Sequence, residues 1–424
     1  MTDQLDESWS PPDRASSQPR ERPLRTDLPP RLLGARGNPT DASVFSGIPH
    51  YFLKAAIKGG ILDAPVPLPP DGLDYQVRRI VWNLTRPLTG DRRGGYQYVP
   101  ARRNRQWADA RGELGGTCIM AAWQLFPHFV VEDDSIEKWF FIDQTLTQLY
   151  DEYKERDIIG RRIAKRAVAA EREGYQAATG IIVHSQWAAR DVVDRYGIDR
   201  AKVHVVTQAA NFEQAVYDAW EAEEVERRTE RPDDSETGRP LRLVFVGLVG
   251  LRKGLDRLLA ALELAQRQGS RATLRVIGCP AKQMPPELRS LPGVEWCGRI
   301  DKRRDGGRFL SMLADCDVGV LLSRVEAGGC GLSEYQAAGL AVLGTNAGGA
   351  AEQILAGNGV IVDTEATPAE IADTVLQLER QPEIVHQMRQ VAWRQRRAAS
   401  WAARVEEIRT FWPHADPPKD DERG

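Results

Sequence analysis

The chain is short of sulfur, of long apolar runs and of net charge, and each shortage excludes something. Its five cysteines, Cys118, Cys279, Cys297, Cys316 and Cys330, are odd in number and lack paired metal-ligand spacing, so neither a disulfide framework nor a zinc site is expected. Most should pack as small hydrophobes. No apolar run approaches the roughly 18 residues of a membrane span, and the Asp-, Arg- and Pro-rich start has no signal-peptide core, so a cytoplasmic location is expected. A net charge of −3 gives no general sign of nucleic-acid binding, and no nucleic-acid partner is expected. No internal repeat is found.

What is present points to two α/β domains. A chain of 424 residues with 42% hydrophobic content exceeds what one core usually supports. From about Leu241 to Leu378, apolar strands alternate with helical patterns, the signature of a doubly wound parallel sheet. The strand candidates around Leu243, Leu274, Val294 and Ala341 each end in glycine. Ligands bind such sheets beyond the carboxyl ends of the strands.

The densest motif follows the apolar run Val318–Leu322: Glu326, Ala327, Gly328, Gly329, Cys330, Gly331, Leu332, Ser333, Glu334. Glycines where a strand becomes a helix let unpaired helix-start amides approach a phosphate. Glu334 is expected in the first helical turn and Glu326 at the strand end, each accepting hydroxyls of one extended ligand. Arg252 and Lys253, in the turn Gly250–Gly254, are cations beside another helix start, where only a bound anion makes them favourable.

These residues resemble the donor-binding half of a GT-B glycosyltransferase, specifically the retaining family 4, with its glycine turn, Arg/Lys-Lys-Gly and later Glu-x7-Glu. The resemblance implies two Rossmann-like domains facing a cleft and a C-terminal helix returning to the first domain. It also implies transfer of a hexosyl-type sugar, with retention, from a nucleotide-diphosphate donor to an acceptor hydroxyl in glycan, polysaccharide or glycolipid synthesis. Lys253 then contacts the diphosphate with Arg252 beside it, Glu326 lies near the transferred sugar, and Glu334 lies on the ribose. Gly278, Gly328, Gly329, Cys330, Gly331 and Leu332 would complete the donor site, and Arg299 and Ile300, just after Gly298, would lie toward the base. Leu248 stands where many members carry arginine, and Ala327 and Gly328 replace the usual Gly-Phe. No cofactor and no metal are expected, Asp315-Cys316-Asp317 reading as a helix end and strand start. A sugar-nucleotide epimerase, a phosphorylase or a non-catalytic binding protein on the same fold are the alternatives.

The expected boundaries are a disordered tail at 1–30, an acceptor domain at 31–212, a charged excursion at 213–240, a donor domain at 241–381, and a returning helix and tail at 382–424. In the first domain the resemblance implies that Gly47 opens a cleft-facing helix, and Asp143, ending a strand that begins near Trp139, is expected on the acceptor side of the cleft. His128 is weighed as an acceptor-side base against a packed histidine; His184, inside an apolar strand, reads as structural. The arginines at 78, 79, 86, 92, 93, 102, 103 and 105 suit an anionic lipid surface or lipid-diphosphate acceptor, or are simply solvated.

Overall fold

The computed structural model describes residues 29–68, 72–89, 91–154, 156–230 and 239–415. Most of the expected tail at 1–30, residues 231–238 of the expected excursion and residues 416–424 of the expected C-terminal tail lie outside them.

Two six-stranded, wholly parallel sheets organise the molecule. The first contains β1 (Arg31–Ala35), β2 (Ala64–Pro65), β3 (Cys118–Ala122), β4 (Glu137–Ile142), β5 (Gly180–Val183) and β6 (Val203–Val205), in the order β2-β1-β3-β4-β5-β6. The second contains β7 (Arg242–Gly247), β8 (Thr273–Gly278), β9 (Val294–Gly298), β10 (Val318–Leu321), β11 (Ala341–Thr345) and β12 (Gly359–Val362), in the order β12-β11-β10-β7-β8-β9. Both are doubly wound, with strand order reversing at β1/β3 and at β7/β10.

Alternation along β3, β4 and β5 shows how the first sheet is buried on both faces. Ile119, Ala121, Phe140, Ile142, Ile181 and Val183 fill one side, and Met120, Trp139, Phe141 and Ile182 the other. The second side is covered by helix α1 (Ile48–Lys58) and by the C-terminal helix Trp401–Arg409, which returns to the first domain as expected. Phe52 of α1 stacks on Phe141 with centroids 4.2 Å apart, and Trp401 meets Phe52 at 5.6 Å.

The charged stretch after Glu213 is not an excursion. Gln214–Glu230 is a helix whose Tyr217 and Trp220 enter the core of the second domain. Two aromatics spaced three apart suffice to dock it, and its acidic residues find partners: Glu221 pairs with Arg396 and Arg397, Glu224 with Arg227 and Arg228.

At the second switch point, β7 and β10 pair only through Val318/Leu243 and Gly319/Val244 before diverging. Buried Tyr335 fills the gap. Its hydroxyl accepts the Val246 N–H at 2.8 Å and donates to the Val320 carbonyl at 3.2 Å, replacing the lost ladder. A Cβ on Gly319 would lie 2.2 Å from the Tyr335 ring, so only glycine admits it. The opening between these strands is thereby fixed in shape.

Candidate functional site

A groove of about 400 Å³ runs over this switch point, lined by the second domain and by Ala42, Ser43, Ser46, Tyr51 and Asn211. Of the expected donor residues, Arg252, Lys253, Gly278, Arg299, Ile300, Cys330, Gly331 and Glu334 line it.

The cations come from the turn after β7. Gly254, at φ +75°, ends that turn, and a Cβ there would meet the Leu322 carbonyl oxygen at 1.9 Å. The tight turn folds the Lys253 stem back over Gly247, where an added Cβ would lie 2.6 Å from its Cδ. Glu326, after β10, receives both cations on one oxygen: Arg252 Nη1 at 3.2 Å and Lys253 Nζ at 3.4 Å, with the Ser323 hydroxyl donating at 3.1 Å. Burial pushes the Glu326 carboxyl up, but Lys253, Arg252 and Ser323 outweigh it and hold the pKa below the ordinary range. It is an ionised carboxylate.

The helix Cys330–Ala337 begins about one turn earlier than the expectation for Glu334 required. Gly329, at φ +75°, is its N-cap, so Glu334 lies in the second turn, not the first. It is buried and paired with Lys302, whose ammonium also lies 5.2 Å from the Phe309 ring centre. No side chain caps the helix, and the Leu332 N–H is already bonded to the Gly329 carbonyl at 2.8 Å. The Leu332 side chain is in the core. Leu332 therefore leaves the set of anion-facing amides, and those of Cys330 and Gly331 remain. A Cβ on Gly331 would have only the Val246 carbonyl within 4 Å, at 3.8 Å, so this backbone borders open space. Burial pushes the Cys330 thiol up to about 12, which keeps it neutral beside Gln208. Gly328 is not part of the groove wall: it backs onto Gln208, whose side chain a Cβ would meet at 2.5 Å.

From the first domain, Asp143 ends β4 within the field of Glu326 and Arg252, and burial pushes its carboxyl up to about 6. Tyr153 lies beneath the Arg252 guanidinium, 5.5 Å from its ring centre. Gly47, at φ +86°, caps α1 at the end of a loop in which Phe45 and Ser46 also have positive φ, and Asn211 binds the Ser46 carbonyl at 3.1 Å. His128 does not join this constellation. It is exposed at a helix start, 3.5 Å from Glu132, because the chain after Pro127 turns outward. His184 is buried, bonded to the Val206 carbonyl at 2.9 Å, and desolvation lowers it to about 4.

Lys302, Ser323, Tyr153, Gln208 and Asn211 escape sequence reading. Lys302, Tyr153, Gln208 and Asn211 act across distant elements, whereas Ser323 acts on Glu326 three residues on; Lys302, just beyond Arg299 and Ile300, and Ser323 lay near residues already singled out. Asp317 of the Asp-x-Asp triplet is buried against Arg239, Arg242 and Arg389, so its carboxylate is taken by three cations. Away from the groove, Cys118, Glu137 and His414 offer ligand atoms within 4.8 Å of one another, but Glu137 is bonded to His414 at 2.5 Å and to the Trp139 indole at 2.8 Å.

The geometry has a counterpart among known families. Residues 226–395 match the family model Glycosyl transferases group 1. That segment contains the Arg252–Lys253 turn, Glu326 and Glu334. No curated protein sequence matches the chain. Among solved structures, it is similar to sucrose-phosphate synthase from Thermosynechococcus elongatus at 15% identity, covering 91% of this chain and 98% of that one with a TM-score of 0.59. It is also similar to Anabaena HepE in complex with UDP, at 14% identity, 90% and 98% coverage and a TM-score of 0.57. WaaG, a glycosyltransferase involved in lipopolysaccharide biosynthesis, gives 15% identity, 90% and 99% coverage and 0.57. Likeness over the full length at such identity establishes the fold, which is GT-B.

Proposed function

We propose that the chain is a retaining glycosyltransferase that moves a hexosyl-type sugar from a nucleotide-diphosphate donor to a glycan or lipid-linked acceptor. The observation that carries this reading is the convergence of Arg252 and Lys253, which line the groove together with Glu334, on the buried Glu326 behind them.

Breaking a glycosyl-phosphate bond builds negative charge on the departing diphosphate, and preorganised cations and amides aimed there stabilise the transition state. Lys253, Arg252 and the amides of Cys330 and Gly331 supply that field. In the free protein Glu326 balances both cations, so they are held in place before a diphosphate arrives. Glu326 then accepts sugar hydroxyls, and Glu334 exchanges Lys302 for the ribose diol. With the nucleophile role left vacant, the departing phosphate oxygen deprotonates the acceptor on the same face, which gives retention. Asp143, neutral or charged near pH 6, is the first-domain carboxyl assigned here to the acceptor hydroxyl.

HepE is described with UDP, which makes UDP-sugars the first donors to try. The test is to incubate the chain with UDP-hexoses and an acceptor extract and assign the anomeric configuration of new product by NMR. Transfer with retention supports the reading. Donor isomerisation without acceptor, or release of sugar phosphate from a glucan, would replace it with the epimerase or phosphorylase.

A further inference from the structure

Tyr51, near the start of α1, belongs to the first domain but lines the groove together with Asp301, Lys302, Arg303 and Glu334 of the second. The same residue lines a separate cavity of about 490 Å³ between α1 and the helices Gln214–Glu230 and Trp401–Arg409, so its ring stands between the two spaces. Close packing seats the ring. A Cβ on Gly47, one turn earlier, would lie 2.9 Å from the Tyr51 Cε2, and His50 meets the ring edge-on with centroids 5.0 Å apart.

The hydroxyl is the unexplained part. Only 6% of Tyr51 is exposed, yet its oxygen has no hydrogen-bond partner among the described residues, and it is not sealed into the core. A polar group so placed is costly unless something pairs with it. Its surroundings are those of the groove: besides Glu213, the charges that act on it are Glu334, Arg303 and Asp301. Burial, Glu213 and Glu334 push its pKa up to about 12, which keeps the phenol protonated and able to donate.

We infer that the Tyr51 hydroxyl donates a hydrogen bond to the ribose of the nucleotide donor, from the domain opposite Glu334. The chemistry of the diol calls for such a group. Glu334 is an acceptor only, so it can take the protons of the ribose hydroxyls but leaves their oxygen lone pairs unmet. A phenol on the facing wall meets them, and one nucleoside then bonds to both domains. This deepens the transferase reading and rests on it.

Calorimetric titration with UDP, GDP and ADP picks the tightest of the three, which is then compared with its 2′,3′-dideoxy form in the wild type, Tyr51→Phe and Lys253→Ala. Tyr51→Phe should bind the ribonucleotide about fivefold more weakly and the dideoxy form as the wild type does. Its ligand-free melting temperature should hold, because the hydroxyl has no partner in the protein to lose. Lys253→Ala should weaken both nucleotides alike. The inference is overturned if Tyr51→Phe binds the ribonucleotide as tightly as the wild type, or loses the same factor for both nucleotides, which would put the hydroxyl on the phosphates or in packing. If none of the three diphosphates binds in a manner that depends on Lys253, the transferase reading fails and takes the inference with it, so the two failures are told apart.

Discussion

Each domain places a helix start at the carboxyl end of a central strand, and the two starts are furnished differently. In the first domain the helix Gln186–Asp194 is capped by the Ser185 side chain, and its Gln186 and Trp187 amides donate to Glu352 of the second domain at 2.5 and 3.0 Å. In the second domain the helix Cys330–Ala337 has a glycine cap and no side chain on its first amides. One anion site is filled by the chain's own carboxylate and serves as a domain clasp; the other is left open, with Arg252 and Lys253 beside it. The same backbone electrostatics serve structure in one half and, under the proposed function, a ligand in the other.

The largest break in this contrast should come from Lys253→Ala. Removing a donor aimed at the developing charge costs about 3–4 kcal/mol, so turnover should fall by orders of magnitude while the melting temperature holds. Full activity in this variant would remove the lysine from the mechanism. Glu334→Ala comes next. It leaves Lys302 without its partner and removes the proposed ribose acceptor, so donor KM should rise about tenfold with kcat less affected, as expected for lost uniform binding.

Acid behaviour should separate two buried groups of the first domain, His184 and Asp143. His184 is held neutral down to about pH 4 by burial, whereas the unfolded chain takes that proton near 6.5. Stability from this group is complete above that value and falls as pH drops through the window, so His184→Gln should flatten the melting profile there. Asp143 acts with the opposite sign. Its folded pKa of about 6 exceeds the unfolded value, so ionisation above pH 6 destabilises the fold, and Asp143→Asn should melt higher than wild type at pH 8, with the gap closing toward pH 4. The smallest effect belongs to Glu352→Gln, which keeps the clasp's shape and loses its charge. A few-fold change in KM, measured beside an unchanged fold, is expected.

The second domain was far more legible than the first. Its strands end in glycines because backbone must approach ligand or neighbouring chain, and Gly247, Gly254, Gly319 and Gly329 each mark a contact that a Cβ would obstruct. Such local necessity leaves a trace in sequence. In the first domain β1 (Arg31–Ala35) has no β-branched residue and β3 (Cys118–Ala122) only Ile119, against two valines in the shorter Val318–Leu321, and β2 has only two residues. Pairing with neighbours makes them strands. Asp143 was found at a strand end, but its closeness to Glu326 is a product of domain packing. The apolar stripe that the helix Leu73–Thr89 turns outward was hidden by its arginines, since a helical apolar period reads alike whether it faces core or solvent.

The central claim is that the open helix start and its cations grip the diphosphate of a sugar nucleotide. Calorimetric titration of UDP into the wild type and into Lys253→Ala tests it most directly. Saturable binding that the substitution weakens by at least tenfold, and that restores no affinity when UMP replaces UDP, is the expected result. Equal affinity of the two proteins for UDP would contradict the claim.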